Sequence, residues 1–265
     1  MKKITLGALD YGLAFGVDRT LRSLLQEGRL SAVGCLVASE LWPREFKPLK
    51  DLADELGERA EIGLTLALSG DHVTPVSQRM REVYGDQFPA RSKLERLAMM
   101  RLLPDEMLIE EICQQVSAFT SRMDRLPRIV ALREGLLDRS EMVRLVLTAL
   151  DSLDLKQKPW LVAPSVFESA EKRFLRMARK AGYPALRWGP PVPEIADREE
   201  LFARLRHHFD FMDEDVFVAT LAGEADDRLR RQEPLQKVAI RECQGEVLGS
   251  DRFFRLLDER DIFLN

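Results

Sequence analysis

The sequence predicts an irregular (β/α) barrel of the TIM-barrel type. Three observations carry this: eight short β-like runs, longer segments of helical period between them, and runs that are almost continuously apolar rather than alternating. Strands read that way when helices cover both faces of a parallel sheet. An open doubly wound sheet is the alternative arrangement of the same units. All 265 residues are read as a single barrel domain, 1–265.

In chain order the β-like runs are KITLGAL (3–9), SAVGCLVA (31–38), AEIGLTLAL (60–68), RIVAL (128–132), WLVAP (160–164), ALRW (185–188), DVFVATLA (215–222) and KVAIREC (237–243). Helical spacing is clearest where Ile109, Ile112, Cys113, Val116, Phe119 and Met123 share a face, and again at Met142, Val143, Val146, Leu147 and Leu150. Ser165 and Glu168 form a capping box before a helix that Gly182 is placed to end, and Ser250 caps the last helix. Two regions break the rhythm. Residues 69–105, after the third strand, are too long for an ordinary connection and predict an excursion over the barrel mouth. Residues 189–198, GPPVPEIADR, hold three of the thirteen prolines and predict a rigid loop.

Composition excludes several function classes. Hydrophobic residues make up 45% and charged residues 32%, as in an ordinary folded domain. Forty basic and 44 acidic residues give a formal charge of −4 with the signs interspersed, which disfavours nucleic acid as a partner. No apolar run approaches the roughly 20 residues of a membrane span, and MKKITLGALDYG lacks the apolar stretch of a secretory signal. Cys35, Cys113 and Cys243 are odd in number and far apart, which fits a reducing compartment. The expectation is a cytoplasmic protein of undefined oligomeric state.

In a barrel of this kind chemistry gathers at the C-terminal ends of the strands. Those positions are Asp10, Ser39, Thr65, Ser69, Arg133, Glu134, Ser165, Arg187, Trp188, Glu224, Arg241 and Glu242. None is histidine. His72 lies at the start of the excursion, and His207 and His208 end a charged helix, where they read as cations complementing its last turn. Zinc and iron sites recruit imidazoles or thiolates, and neither type clusters here. Nucleophile elbows and phosphate-binding glycine loops are missing, and Cys243 is a weak nucleophile candidate.

The stretches LGALDYG, EIGLTLALSG and GYPALRWGP resemble the YdjC-like family of carbohydrate deacetylases, and the resemblance extends over nearly the whole chain. It implies an irregular (β/α) barrel and metal-dependent removal of acetyl groups. The family's opening Asn-Ala-Asp-Asp-Phe-Gly stands here as Gly7-Ala8-Leu9-Asp10-Tyr11-Gly12, so one of two paired carboxylates is replaced by leucine. Gly-Leu-His-Leu-Asn-Leu-Thr becomes Gly63-Leu64-Thr65-Leu66-Ala67-Leu68-Ser69, with Thr65 where the family has a metal-binding histidine. The histidine-rich strand becomes Arg128-Ile129-Val130-Ala131-Leu132-Arg133-Glu134, and a family His-Pro-Gly falls around Arg241 to Gln244 without a match. Arg187 survives at the position of a family arginine.

The family reaction needs a divalent ion to polarise an amide and a carboxylate to manage the proton. The substitutions therefore point to a catalytically degenerate protein that binds a sugar or other small polar ligand, or a partner, with no metal ligand set. An enzyme with rewired carboxylate chemistry is the alternative. Candidate catalytic residues are Asp10, Glu134 and Arg187; candidate ligand-binding residues are Tyr11, Thr65, Ser69, Trp188 and Glu242. Magnesium, which accepts oxygen ligands, enters only if Asp10 and Glu134 converge. Each residue also has a structural explanation: a turn for Asp10, an ion pair for Arg187, packing for Trp188.

Overall fold

The structure, a computed structural model, describes residues 2–164, 167–210 and 212–264. Its strands are β1 (Lys2–Tyr11), β2 (Ala32–Cys35), β3 (Glu61–Leu66), β4 (Ile129–Leu132), β5 (Trp160–Val162), β6 (Ala185–Trp188), β7 (Val216–Ala219) and β8 (Ile262–Leu264). Strands β1 to β7 follow one another in chain order round a closed parallel barrel, and β8 adds to β1. The fold is TIM-barrel-like. The helices are α1 (Phe15–Gln26), α2 (Trp42–Leu56), α3 (Gln78–Tyr84), α4 (Arg91–Met100), α5 (Asp105–Met123), α6 (Ser140–Ser152), α7 (Glu168–Lys180), α8 (Arg198–His208), α9 (Asp227–Gln232), α10 (Leu235–Leu248) and α11 (Asp251–Glu259). Among the described residues no helix is long and apolar enough to cross a membrane.

Two compact units make up the chain. The first comprises Met1–Gly34, Pro43–Ile62 and Gly189–Asn265. Here β1 pairs in parallel with β7 from Ile4↔Val216 to Gly7↔Ala219, and with β8 from Lys2↔Ile262 to Ile4↔Leu264. Ile4, Leu6, Ala8 and Phe217 are fully buried, each large side chain contributing about 1.5–3 kcal/mol of transfer free energy. Helix α1 buries Val17, Leu21, Leu24 and Leu25 at helical spacing. Its start runs so close to the chain after β7 that a Cβ on Gly16 would lie 2.2 Å from the Glu224 carbonyl oxygen. Ser250 caps α11 through the Phe253 amide at 3.2 Å.

One predicted strand is a helix. Residues 237–243 lie inside α10, and the eighth strand is the short β8 near the C-terminus. The apolar run Val238-Ala239-Ile240 lasts only three residues. Over the fourteen residues of α10 the buried set is Val238, Ile240, Arg241, Cys243, Gln244, Val247 and Leu248, a helical face. Gln244 explains how that face packs. Its amide oxygen accepts from Thr220 Oγ1 at 2.8 Å and the Leu221 amide at 2.7 Å, and its Nε2 donates to the Pro193 carbonyl at 3.0 Å. The proline loop is thus held by helix α10 on one side and by a Val192 amide to Ala219 carbonyl bond of 2.8 Å on the other.

The second unit comprises Cys35–Trp42 and Gly63–Trp188. Parallel pairing runs from β3 to β6 through Leu64↔Val130, Ile129↔Trp160 and Leu161↔Ala185. Helix α5 buries Ile112, Val116, Phe119 and Met123, while Ile109 and Cys113 of the predicted face are only partly covered. All five predicted positions of α6 are buried. The 69–105 excursion contains α3 and α4, with Ser77 capping α3 through the Met80 amide at 3.3 Å. Gly182, at a φ of 75°, follows the end of α7. Ser165, and with it the predicted capping box, lies outside the described residues.

Candidate functional site

In the first unit, β1 ends at a group of charged side chains. Gly12, at a φ of 98°, turns the chain away from the strand, and the Leu13 amide closes the turn on the Asp10 carbonyl at 3.0 Å. Asp18, fully buried in the first turn of α1, accepts the Gly12 amide at 2.6 Å. Burial pushes its carboxyl well above the usual range, and the charges of Glu45 and Asp10 add to the rise. Tyr11 is also fully buried. Its hydroxyl donates to the Glu45 carbonyl at 2.8 Å and accepts from Arg22 Nη1 at 2.6 Å, so the ring packs in the core behind the tip.

Asp10 itself is engaged by Arg241, which reaches the strand from α10. Arg241 Nη2 donates to Asp10 Oδ2 at 2.6 Å. The same guanidinium grips Glu233 through a two-pronged pair, Nε to Oε2 at 2.6 Å and Nη2 to Oε1 at 2.9 Å, and Nη1 donates to the Leu221 carbonyl at 2.8 Å. Arg241 is 1% exposed. Burial alone would lower its pKa, but the two carboxylates outweigh burial and raise it. Burial likewise pushes Glu233 up, and its bonds to Arg241 and Lys237 reverse this and hold it below the usual carboxylate range. Lys237 Nζ lies 2.9 Å from Glu233 Oε1. Glu233, Lys237 and Arg241 are spaced by four, the signal by which the sequence could have revealed this face. Asp10 Oδ1 is buried and has no hydrogen-bond partner among the described residues.

Glu242, predicted at a strand end, stands on α10 and accepts the Ala225 amide at 3.4 Å. It borders a groove of about 580 Å³ with Arg19, Thr20, Glu27, Gly245 and Glu246. Cys243 also lies on this helix, 3% exposed, and burial pushes its thiol up, opposite to what a nucleophile needs. His207 meets Asp210 at 3.2 Å. His208 contacts the Pro190 carbonyl at 3.0 Å, and burial lowers its pKa, which weakens the helix-end cation that the sequence predicts.

The second unit carries the other candidates. Thr65 is 1% exposed, and its hydroxyl has no hydrogen-bond partner among the described residues. Just beyond it, Gln115 of α5 holds both backbone groups of Ala67, accepting its amide at 3.0 Å and donating to its carbonyl at 2.7 Å. Gln115 also donates to Glu111 at 2.8 Å, and Glu111 takes the amides of Val76 and Ser77 at 2.9 and 2.7 Å. Both side chains are fully buried. They fix the chain that presents Ser69, whose hydroxyl donates to Glu134 Oε2. Glu134 (φ 60°, ψ 24°) and Gly135 (φ 66°, ψ 18°) are both left-handed, and a left-handed glutamate is a strained choice at a strand tip. Arg187 Nε lies 3.6 Å from Glu171 with its side chain 49% exposed, and the Trp188 amide donates to the same carboxylate at 3.3 Å. Glu171 of α7 thus anchors the tip of β6.

The YdjC-like protein family matches residues 3–259 of the chain. This chain belongs to the YdjC-like family. Among solved structures, this YdjC-like chain is similar to a candidate cellobiose-phosphate cleavage protein from Enterococcus faecalis, at 16% identity over 100% of this chain and 97% of that one, with a TM-score of 0.78. At that identity the likeness shows the barrel fold alone. Weaker likenesses carry no argument: the carboxyl transferase domain of Rhizobium etli pyruvate carboxylase at 10% identity (96% of this chain, 35% of that one, TM-score 0.39) and a T48 deacetylase with substrate at 14% (82% and 96%, TM-score 0.28). No curated protein sequence matches the chain.

Family members usually depend on a metal, and the residues here do not fit one. Leu9 offers no donor and Thr65 a neutral hydroxyl. Among the described residues no three side chains from His, Cys, Asp and Glu gather to hold an ion. The carboxylate that remains, Asp10, already has a guanidinium at 2.6 Å. A cation about 4 Å from Arg241 would be repelled by about 4 kcal/mol for each unit of its charge at an intermediate dielectric.

Proposed function

We propose that this YdjC-like chain is a catalytically degenerate, carbohydrate-deacetylase-like barrel that binds a sugar or other small polar ligand without metal-dependent hydrolysis. The observation that carries this reading is the capture of Asp10 by Arg241. It neutralises the one carboxylate kept from the family's pair, so that carboxylate is not free to bind a Lewis acid. Ground-state binding survives such a change, because it needs shape and polar contacts rather than transition-state charge stabilisation. Asp10 Oδ1 and the Thr65 hydroxyl, each buried and without a hydrogen-bond partner among the described residues, are polar groups of the kind a sugar hydroxyl satisfies. Three cysteines, odd in number and far apart in the sequence, support a cytoplasmic setting.

A thermal-shift screen tests the reading, with N-acetylated oligosaccharides and phosphorylated cellobiose as probes. The expected result is a rise in Tm with at least one probe that disappears in Arg187→Ala. A panel without any response, or release of acetate from a probe, would contradict it.

A second reading, rewired carboxylate chemistry, is favoured by the strained backbone of Glu134 and by its bond from Ser69. Here Glu134 would act as the base, with Arg187, in the same unit, orienting the substrate. Product release that persists in chelator and is lost in Glu134→Gln would select this reading over the first.

A further inference from the structure

We infer that the Arg241 guanidinium is a built-in cation at the tip of β1, seated in a socket formed by Asp10, Glu233 and the Leu221 carbonyl. The inference rests on the metal-free reading above and adds what stands in place of an ion.

Charge balance is the first support. The cluster sets two carboxylates, Asp10 and Glu233, against two side-chain cations, Arg241 and Lys237. This is the compensation that one divalent ion would give two carboxylates. Geometry is the second. The planar guanidinium spends four N–H bonds at once: two on Glu233, one on Asp10 and one on Leu221. An ammonium, with three donors at a single point, cannot span those acceptors. Burial is the third, since a charge 1% exposed persists only where partners surround it. The helix is fastened in the same place: the Gly223 amide donates to the Arg241 carbonyl at 3.1 Å.

Removing the side chain should leave a socket that accepts a free guanidinium. Arg241→Ala is expected to lower Tm by about 10 °C. Millimolar guanidinium chloride, far below denaturing concentrations, should restore a large part of that loss, while equal sodium chloride or urea should not. Wild-type protein should show no such gain. If Arg241→Ala does not fold, Asp10→Asn and Glu233→Gln serve instead, each expected to lower Tm by several degrees, with Arg241→Lys also less stable than wild type. An Arg241→Ala protein as stable as wild type, or one restored equally by sodium chloride, would overturn the inference, as would unchanged Tm in both carboxylate variants. Magnesium, manganese and zinc are added to wild type in parallel. A metal-induced rise in Tm that Asp10→Asn abolishes would sink the metal-free reading as well, whereas failed guanidinium rescue without a metal response would sink the inference alone.

Discussion

Asp18 accepts the Gly12 amide at 2.6 Å through one carboxyl oxygen, while its other oxygen is buried with no hydrogen-bond partner among the described residues. A carboxyl so placed is harder to ionise. Burial raises its folded pKa well above the ordinary aspartate value, so at a pH between the two the unfolded chain releases a proton that the folded chain retains. Its contribution to stability is therefore fully present below the unfolded pKa and is lost as pH rises through the folded one. Asp18→Asn keeps the acceptor for Gly12 and removes the ionisation. Thermal melts from acid to mildly alkaline pH should show the variant gaining on wild type as pH rises, then holding a constant lead. Parallel curves would contradict this.

Glu233 carries the opposite sign. Despite its burial, Arg241 and Lys237 hold its folded pKa below the usual carboxylate value, so its contribution is present above the unfolded pKa and is lost as pH falls through the folded one. Glu233→Gln should cost about 3–5 kcal/mol at neutral pH, the range for breaking a buried pair. Denaturant titrations should show that deficit shrinking in acid. A deficit that does not change with pH would mean that packing, not charge, sets the role of Glu233.

Gln115 is a fixture for the segment leading to Ser69. Gln115→Leu leaves the Ala67 amide and carbonyl without the bonds they make in the native protein. A cost of about 2–4 kcal/mol is expected for two stranded backbone groups. Hydrogen exchange should quicken across 67–77, because Glu111, which Gln115 orients, holds Val76 and Ser77. Quickening confined to α5 would contradict the assignment.

Gly16→Ala tests the close approach of α1 to the chain after β7. The added Cβ would meet the Glu224 carbonyl oxygen at 2.2 Å, and backbone cannot swing aside as a side chain can. A loss of about 1–3 kcal/mol is expected, read as a lower Tm, although alanine is the better helix former. An unchanged or higher Tm would contradict it.

The strands that form the barrel were legible because burial on both faces leaves a continuous apolar signature, as in AEIGLTLAL. KVAIREC was misleading because the short apolar run Val238-Ala239-Ile240 satisfies a strand before the helical spacing of Lys237, Arg241 and Gln244 is considered. At three residues, β8 is too short for any periodicity. At the candidate site, Asp10 was visible from its place after an apolar run, but its partner was not: Arg241 stands 231 residues away on an element read as a strand. Glu111 and Gln115 were hidden for a related reason. Their partners are backbone groups of a remote segment, which carry no residue type for a sequence to display.

Whether the tip of β1 supports metal-dependent hydrolysis is the central question, and acetate release measures it most directly. N-acetylated chitooligosaccharides are incubated with the purified chain, with and without added zinc, manganese or magnesium, and with Asp10→Ala as control. A degenerate barrel yields no acetate above the level of that control in any metal. Release that rises with metal and vanishes in Asp10→Ala would contradict the proposed function.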